Sequence, residues 1–187
     1  MNRKLNIFGI TTLALLLLAG VVSASQESQA LVTKGISLAN SKQYDDAISN
    51  FNRAIGLDPQ DAEAWYFKGL ALTQEFRIKE ANAAFDHAIL LNPNYSNYYI
   101  SKGLGLYMQG NNKDAENYVD KGLLLDPNNS VGWDAKGIIA EAKGDKAVAI
   151  FAYNKAIKLN PEDTTALKAV HRLEGSVAKI LSNDTIE

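Results

Sequence analysis

Every proline in this chain falls on one period. Pro59, Pro93, Pro127 and Pro161 are the 4 prolines of the sequence. Lys34-Gly35, Lys68-Gly69, Lys102-Gly103 and Lys136-Gly137 step with them at about 34 residues, the repeat length of a stacked array of helical hairpins. In such an array one hairpin cannot bury its apolar face alone, so neighbouring units must supply the rest of the core.

Within each unit the same offsets carry the same kind of residue. Residues 28–61, 62–95, 96–129 and 130–163 form the four units. Leu31, Trp65, Tyr99 and Trp133 are bulky residues on the first turn of a first helix, A. Gly35, Gly69, Gly103 and Gly137 follow, and a helix-interior glycine costs about 1 kcal/mol, so its recurrence implies close approach of the second helix, B. Ala47, Ala81, Ala115 and Ala149 are the small B residues expected to face those glycines. Phe51, Phe85, Val119 and Tyr153 should fill the wider part of the same interface.

Asp58-Pro59, Asn92-Pro93, Asp126-Pro127 and Asn160-Pro161 end helix B, because proline disfavours the helical conformation in the residue before it. Asp61, Ser96, Asn129 or Ser130, and Asp163 are then available as N-caps. Gly110 and Gly144 mark the turn between A and B in the last two units, where the first two have Lys42 and Phe76.

A bulky residue, glycine, alanine, an aromatic, alanine and proline in this order resemble the tetratricopeptide repeat. The match covers residues 28–161. The resemblance implies an all-α fold, a right-handed α-solenoid of four helix-turn-helix repeats. Unit three departs most, with Val119 for the aromatic and Gly122 for alanine, and is expected to be the loosest.

After Pro161, residues 164–181 read as a C-terminal capping helix rather than a fifth repeat, since His171 stands where the glycine would fall. Its apolar stripe is Leu167, Val170, Leu173, Val177, Ile180 and Leu181, and an array needs such a solvating end. Residues 182–187 read as a tail.

At the other end, Asn2-Arg3-Lys4, an apolar run and Val22-Ser23-Ala24 make residues 1–24 an export signal with a small-residue cleavage site. The alternative is an uncleaved anchor, which would be the chain's sole tie to a membrane. Both place the repeats outside the membrane, in a secreted or periplasm-like setting. Asn94-Tyr95-Ser96, Asn128-Asn129-Ser130 and Asn183-Asp184-Thr185 fit the N-glycosylation pattern.

Composition excludes several classes. A net charge of -2 lacks the basic surplus of a nucleic-acid binder. Cysteine is absent, which removes disulfides and thiolate metal sites. His87 and His171 are the 2 histidines, without metal-ligand spacing, and no nucleophile elbow or phosphate loop occurs, so neither catalysis nor a cofactor or metal is expected. Two basic ladders, Lys34, Lys68, Lys102 and Lys136, then Arg53, His87, Lys121 and Lys155, read as stems over apolar surface and complements to helix C-termini.

In the resembled family, A-helix residues line a concave ligand groove. The corresponding positions here are Val32 and Ile36; Tyr66, Phe67 and Leu70; Ile100, Leu104, Tyr107 and Met108; and Asp134, Ile138 and Glu141. They make an apolar and aromatic strip for a protein or peptide segment, with the acidic members favouring a neutral or basic ligand. The family's clamp for a peptide C-terminal carboxylate is not built, because its offsets hold Val32, Ile36, Phe67, Asn97 and Ser101. The alternative function is structural: self-association, or scaffolding of an envelope complex, through the open edge near Leu31 and Leu38 or the convex face.

Overall fold

The structure, a computed structural model, describes residues 25–183, with side chains described through residue 175. The expected export signal, the last residues of the tail and the third glycosylation triplet's Asp184-Thr185 lie outside the described residues, as do the side chains of Val177, Ile180 and Leu181. Helix α1 occupies residues 25–40. It is followed by α2 (Tyr44–Leu57), α3 (Ala62–Gln74), α4 (Ile78–Leu91), α5 (Ser96–Met108), α6 (Asn112–Leu125), α7 (Ser130–Ala142), α8 (Lys146–Leu159) and α9 (Thr164–Asn183). Among the described residues there is no strand, and each helix from α2 onward packs chiefly on its neighbours along the chain. The result is an all-α superhelix of hairpins α1–α2, α3–α4, α5–α6 and α7–α8 with α9 at its end.

Each helix B stops for the reason its sequence supplies. The residue before each proline is extended, with Asp58 at φ -135 and ψ 91 and Asn160 at φ -134 and ψ 91. The Asp58 and Asp126 carboxylates then accept the N–H groups of Gln60 and Asn128, closing the turn. Asp61, Asn129 and Asp163 cap α3, α7 and α9 by accepting first-turn N–H groups. Ser96 does not cap α5. Its hydroxyl donates 2.9 Å to the carbonyl of Gly122 on α6, as Ser28 donates to Ala54 on α2, so these serines tie the start of A to the end of B.

The turn between A and B has one conformation throughout. Lys42 (φ 61) and Phe76 (φ 56) take the left-handed backbone that Gly110 (φ 78) and Gly144 (φ 82) take in units three and four. The two side-chain-bearing residues pay the steric cost that glycine avoids.

The A–B interface differs from the sequence expectation in one respect. The aromatics, rather than the alanines, occupy the space over the glycines: a Cβ on Gly35 would lie 2.5 Å from the Phe51 ring, and one on Gly137 2.6 Å from the Tyr153 ring. Unit three is not loose either. Val119 is fully buried, and a Cβ on Gly103 would meet both Val119 (2.7 Å) and the Ala115 carbonyl (2.9 Å), so the smaller residue lets α5 and α6 close further.

The core forms three clusters. One joins α1 to α4 around Phe51, Leu72 and Phe85. The second joins α5 to α7 around Ile100, Val119 and Ile139, and the last joins α7 to α9 around Tyr153, Ala166 and Leu173. Each buried Phe contributes about 1.5–3 kcal/mol of apolar transfer. On α9 the buried edge is Ala166, Ala169 and Leu173 with Val170 at its margin, whereas Leu167 is exposed. The stripe is thus rotated from the one read in the sequence, because the small alanines allow α9 to lie close on α8.

Candidate functional site

The face made by the A helices is not a single strip. Val32 and Ile36 on α1 line a cavity of about 750 Å³ that extends past the first turn of α3 to Tyr95 and Tyr98. Ile36 also borders a second cavity of about 280 Å³, with Phe67 and Leu70 on α3 and Tyr44 and Phe51 on α2. Tyr66 stands between the units: its ring lies 4.8 Å from Tyr98, 5.3 Å from Phe67 and 6.0 Å from Phe85, and burial pushes its hydroxyl pKa up. Val32, Ile36, Tyr66, Phe67 and Leu70 are therefore one neighbourhood.

The remaining predicted positions are placed elsewhere. Ile100 is 2% exposed and inserts where Gly122 and Gly132 leave room, so it is core and offers no ligand surface. Leu104 and Tyr107 are half-buried against the cluster around Val119. Met108 lies beside Phe76 and Arg77 at the A–B turn of unit two. Ile138 packs against the α7–α9 cluster.

The two acidic positions of α7 have distinct electrostatics. Glu141 accepts 2.9 Å from the Arg172 guanidinium of α9 and 3.2 Å from the Tyr153 hydroxyl, and Arg172 holds its carboxyl pKa below the ordinary value. The C-terminal end of the strip is thereby occupied by the protein itself. Asp134 has a buried Oδ1 with no hydrogen-bond partner, and burial, with Asp163 nearby, pushes its carboxyl pKa up to about 6.

Tyr98 and Tyr95 belong to the site and were not among the positions read from the sequence. Tyr98 occupies an offset where the other units have Ala30, Ala64 and Gly132, and a lone large residue among small ones was the available signal. Its ring sits 4.6 Å from Tyr95.

Several members of the basic ladders are engaged within the fold. Lys102 bonds Asp86 at 2.6 Å and the Asn82 carbonyl at 3.2 Å, and Lys136 bonds Asp120 at 2.6 Å. His87 stacks on Trp65 at 4.2 Å, and Lys121 lies over Tyr99 at 4.6 Å. Among the described residues no group of three or more His, Asp or Glu could hold a metal ion. No helix among them is long and apolar enough to cross a membrane.

Two family models described as tetratricopeptide repeat match the chain, over residues 32–98 and 130–163, together more than half of it. No curated protein matches it in sequence. Among solved structures it is similar to that of Pseudomonas aeruginosa pilF, with a TM-score of 0.77 and 17% identity over 85% of this chain and 72% of that one. It is also similar to the first such domain of Spaghetti bound to an HSP90 peptide, with a TM-score of 0.62 and 22% identity over 64% of this chain and 95% of that one. For YrrB, described as having an unusual peptide-binding site, the TM-score is 0.64 and the identity 16%, over 86% of this chain and 83% of that one. These likenesses concern the fold, and they agree with the family models in sequence: the chain belongs to the tetratricopeptide repeat family, a protein-interaction fold.

Proposed function

We propose that this protein is a non-catalytic binding module that holds a protein or peptide segment on the α1–α3 half of its A-helix face. The observation that carries this reading is that two cavities adjoin at Ile36, so that their lining runs from Tyr98 to Leu70. Phe67 and Leu70 supply apolar contact. Affinity comes from burying those side chains, since the carboxylate clamp of related modules is absent. Pull-down from the exported fraction with the wild type and with Leu70→Glu, whose side chain lines the second cavity, tests it. Loss of partners from the folded mutant is expected, and an unchanged partner set would sink the reading.

The setting proposed is extracytoplasmic, supported by the basic and apolar residues of 1–24. Fractionation showing the repeats inside the cell would reverse it.

A second reading is assembly through the convex side. Leu90 and Leu124 are 78% and 81% exposed at equivalent places on α4 and α6, whereas Leu31 at the N-terminal edge is buried. Sedimentation of the full chain tests it: a monomer at all concentrations counts against self-association.

A further inference from the structure

The larger cavity is charged in one sense. Asp58, Asp61 and Glu63 line it, and among the described residues no Lys, Arg or His lines it. Asp58 and Asp61 have local duties, accepting N–H groups of the turn and of α3. Glu63 is exposed, and its carboxylate has neither a hydrogen bond nor an ion pair among the described residues.

An acid cluster at a helix start is ordinarily capping and nothing more, but a second feature sits across this cavity. Tyr98 is 2% exposed, fixed between the Tyr66 and Tyr95 rings, and lines the same space. Its hydroxyl has no hydrogen-bond partner among the described residues. Burial, then the charges of Glu63 and Asp61, pushes its pKa up to about 12, so it stays a neutral phenol facing carboxylates. The Tyr98 oxygen is not among the enclosed polar atoms, so it opens on the cavity and is free to accept a bond.

We propose that this end of the groove receives a lysine or arginine side chain of the bound protein segment. This deepens, and rests on, the binding reading above. The cation donates to the Glu63 carboxylate and the Tyr98 hydroxyl, while its aliphatic stem lies along Tyr95 and Val32. Charge complementarity selects this occupant. A neutral apolar segment would desolvate the carboxylates without pairing them, and an acidic segment would add like charge. The exposed ring of Tyr95 adds the attraction of an aromatic face for a cation.

The test selects random 12-residue peptides displayed against the full chain, then measures binding of the best peptide and of a copy with its basic residues replaced by norleucine. Four proteins are compared: wild type, Glu63→Gln, Tyr98→Phe and a leucine variant, Leu70→Glu. The Glu63 and Tyr98 changes keep side-chain size. The expected result is enrichment of Lys or Arg and a loss of about threefold to tenfold in Glu63→Gln and in Tyr98→Phe for the basic peptide alone. If selected peptides lack basic residues, or bind Glu63→Gln and Tyr98→Phe as tightly as wild type while the leucine variant loses them, the cation site is overturned and the groove stands. If no peptide is selected, or the leucine variant binds all peptides unchanged, the groove reading fails and the cation site with it.

Discussion

The hydroxyl of Tyr99 donates to the carbonyl oxygen of Pro93, 3.0 Å away, and Trp65 and Trp133 make the same bond to Pro59 and Pro127 at 3.1 and 2.8 Å. The bulky residue of one unit and the proline of the unit before it are thus a bonded pair. The proline ends the helix, and its carbonyl, freed by that break, is taken by an aromatic donor. Tyr99→Phe deletes the donor and keeps the ring. It should lower stability by about 0.5–1.5 kcal/mol in urea denaturation, with an unchanged m-value.

Gly69 lies against the Phe85 ring so closely that a Cβ has no room. Gly69→Ala should cost about 1–3 kcal/mol despite the better helix propensity of alanine. Phe85→Leu in the same chain vacates the space, so the double mutant should cost less than the sum of the two single substitutions in a double-mutant cycle. Simple additivity would mean that the glycine is needed for another reason.

Phe76 combines a φ of 56 with 81% exposure, so its side chain buries little and its backbone is strained. Phe76→Gly should raise stability by about 0.5–1 kcal/mol, the strain relieved outweighing the entropy that glycine adds to the unfolded chain. A thermal melt of the folded variant reads this directly, and a lower midpoint would show that the ring has contacts which matter more than its dihedral.

Asp134 introduces a pH dependence with a definite sign. It ionises near pH 4 in the unfolded chain and near pH 6 when folded, where burial dominates the shift. Between those values the folded state holds the extra proton, so stability falls as pH rises. The penalty is absent below about pH 4 and complete above about pH 6. Asp134→Asn should remove this slope and stabilise the protein at pH 7 by about 1–2 kcal/mol, allowing for partial solvent screening. Denaturation midpoints of both proteins at pH 4, 5, 6 and 7 check it.

What the sequence made legible was whatever repeats. Gly35, Gly69, Gly103 and Gly137, with Phe51, Phe85, Val119 and Tyr153, announce one interface four times over, and the prolines give the hairpin ends. What it concealed depends on residues that meet only in space. Ile100 is buried because Gly122 on α6 and Gly132 on α7 open a slot for it, and Glu141 is occupied because Arg172 reaches back from α9. Neither follows from a residue's offset within its own unit. Ser96 looked like a cap because serine at that place often is one, yet the Gly122 carbonyl took its hydroxyl. Tyr98 was readable as the single large residue at a small offset, though what it touches was not.

The division of the core into three clusters bears on how the molecule comes apart. Without a shared centre, opening need not be all-or-none, and an end hairpin can detach while the middle stays closed. Native-state hydrogen exchange would then grade along the chain, with the slowest amides in α5 and α6, which lie farthest from both ends of the stack. Damage at Leu173 would be felt in α8 and fade before α2. A ligand lying across α1, α3 and the start of α5 would join segments that otherwise open separately, so occupancy would register as slowed exchange in α1 and α2 before any shift in the global midpoint.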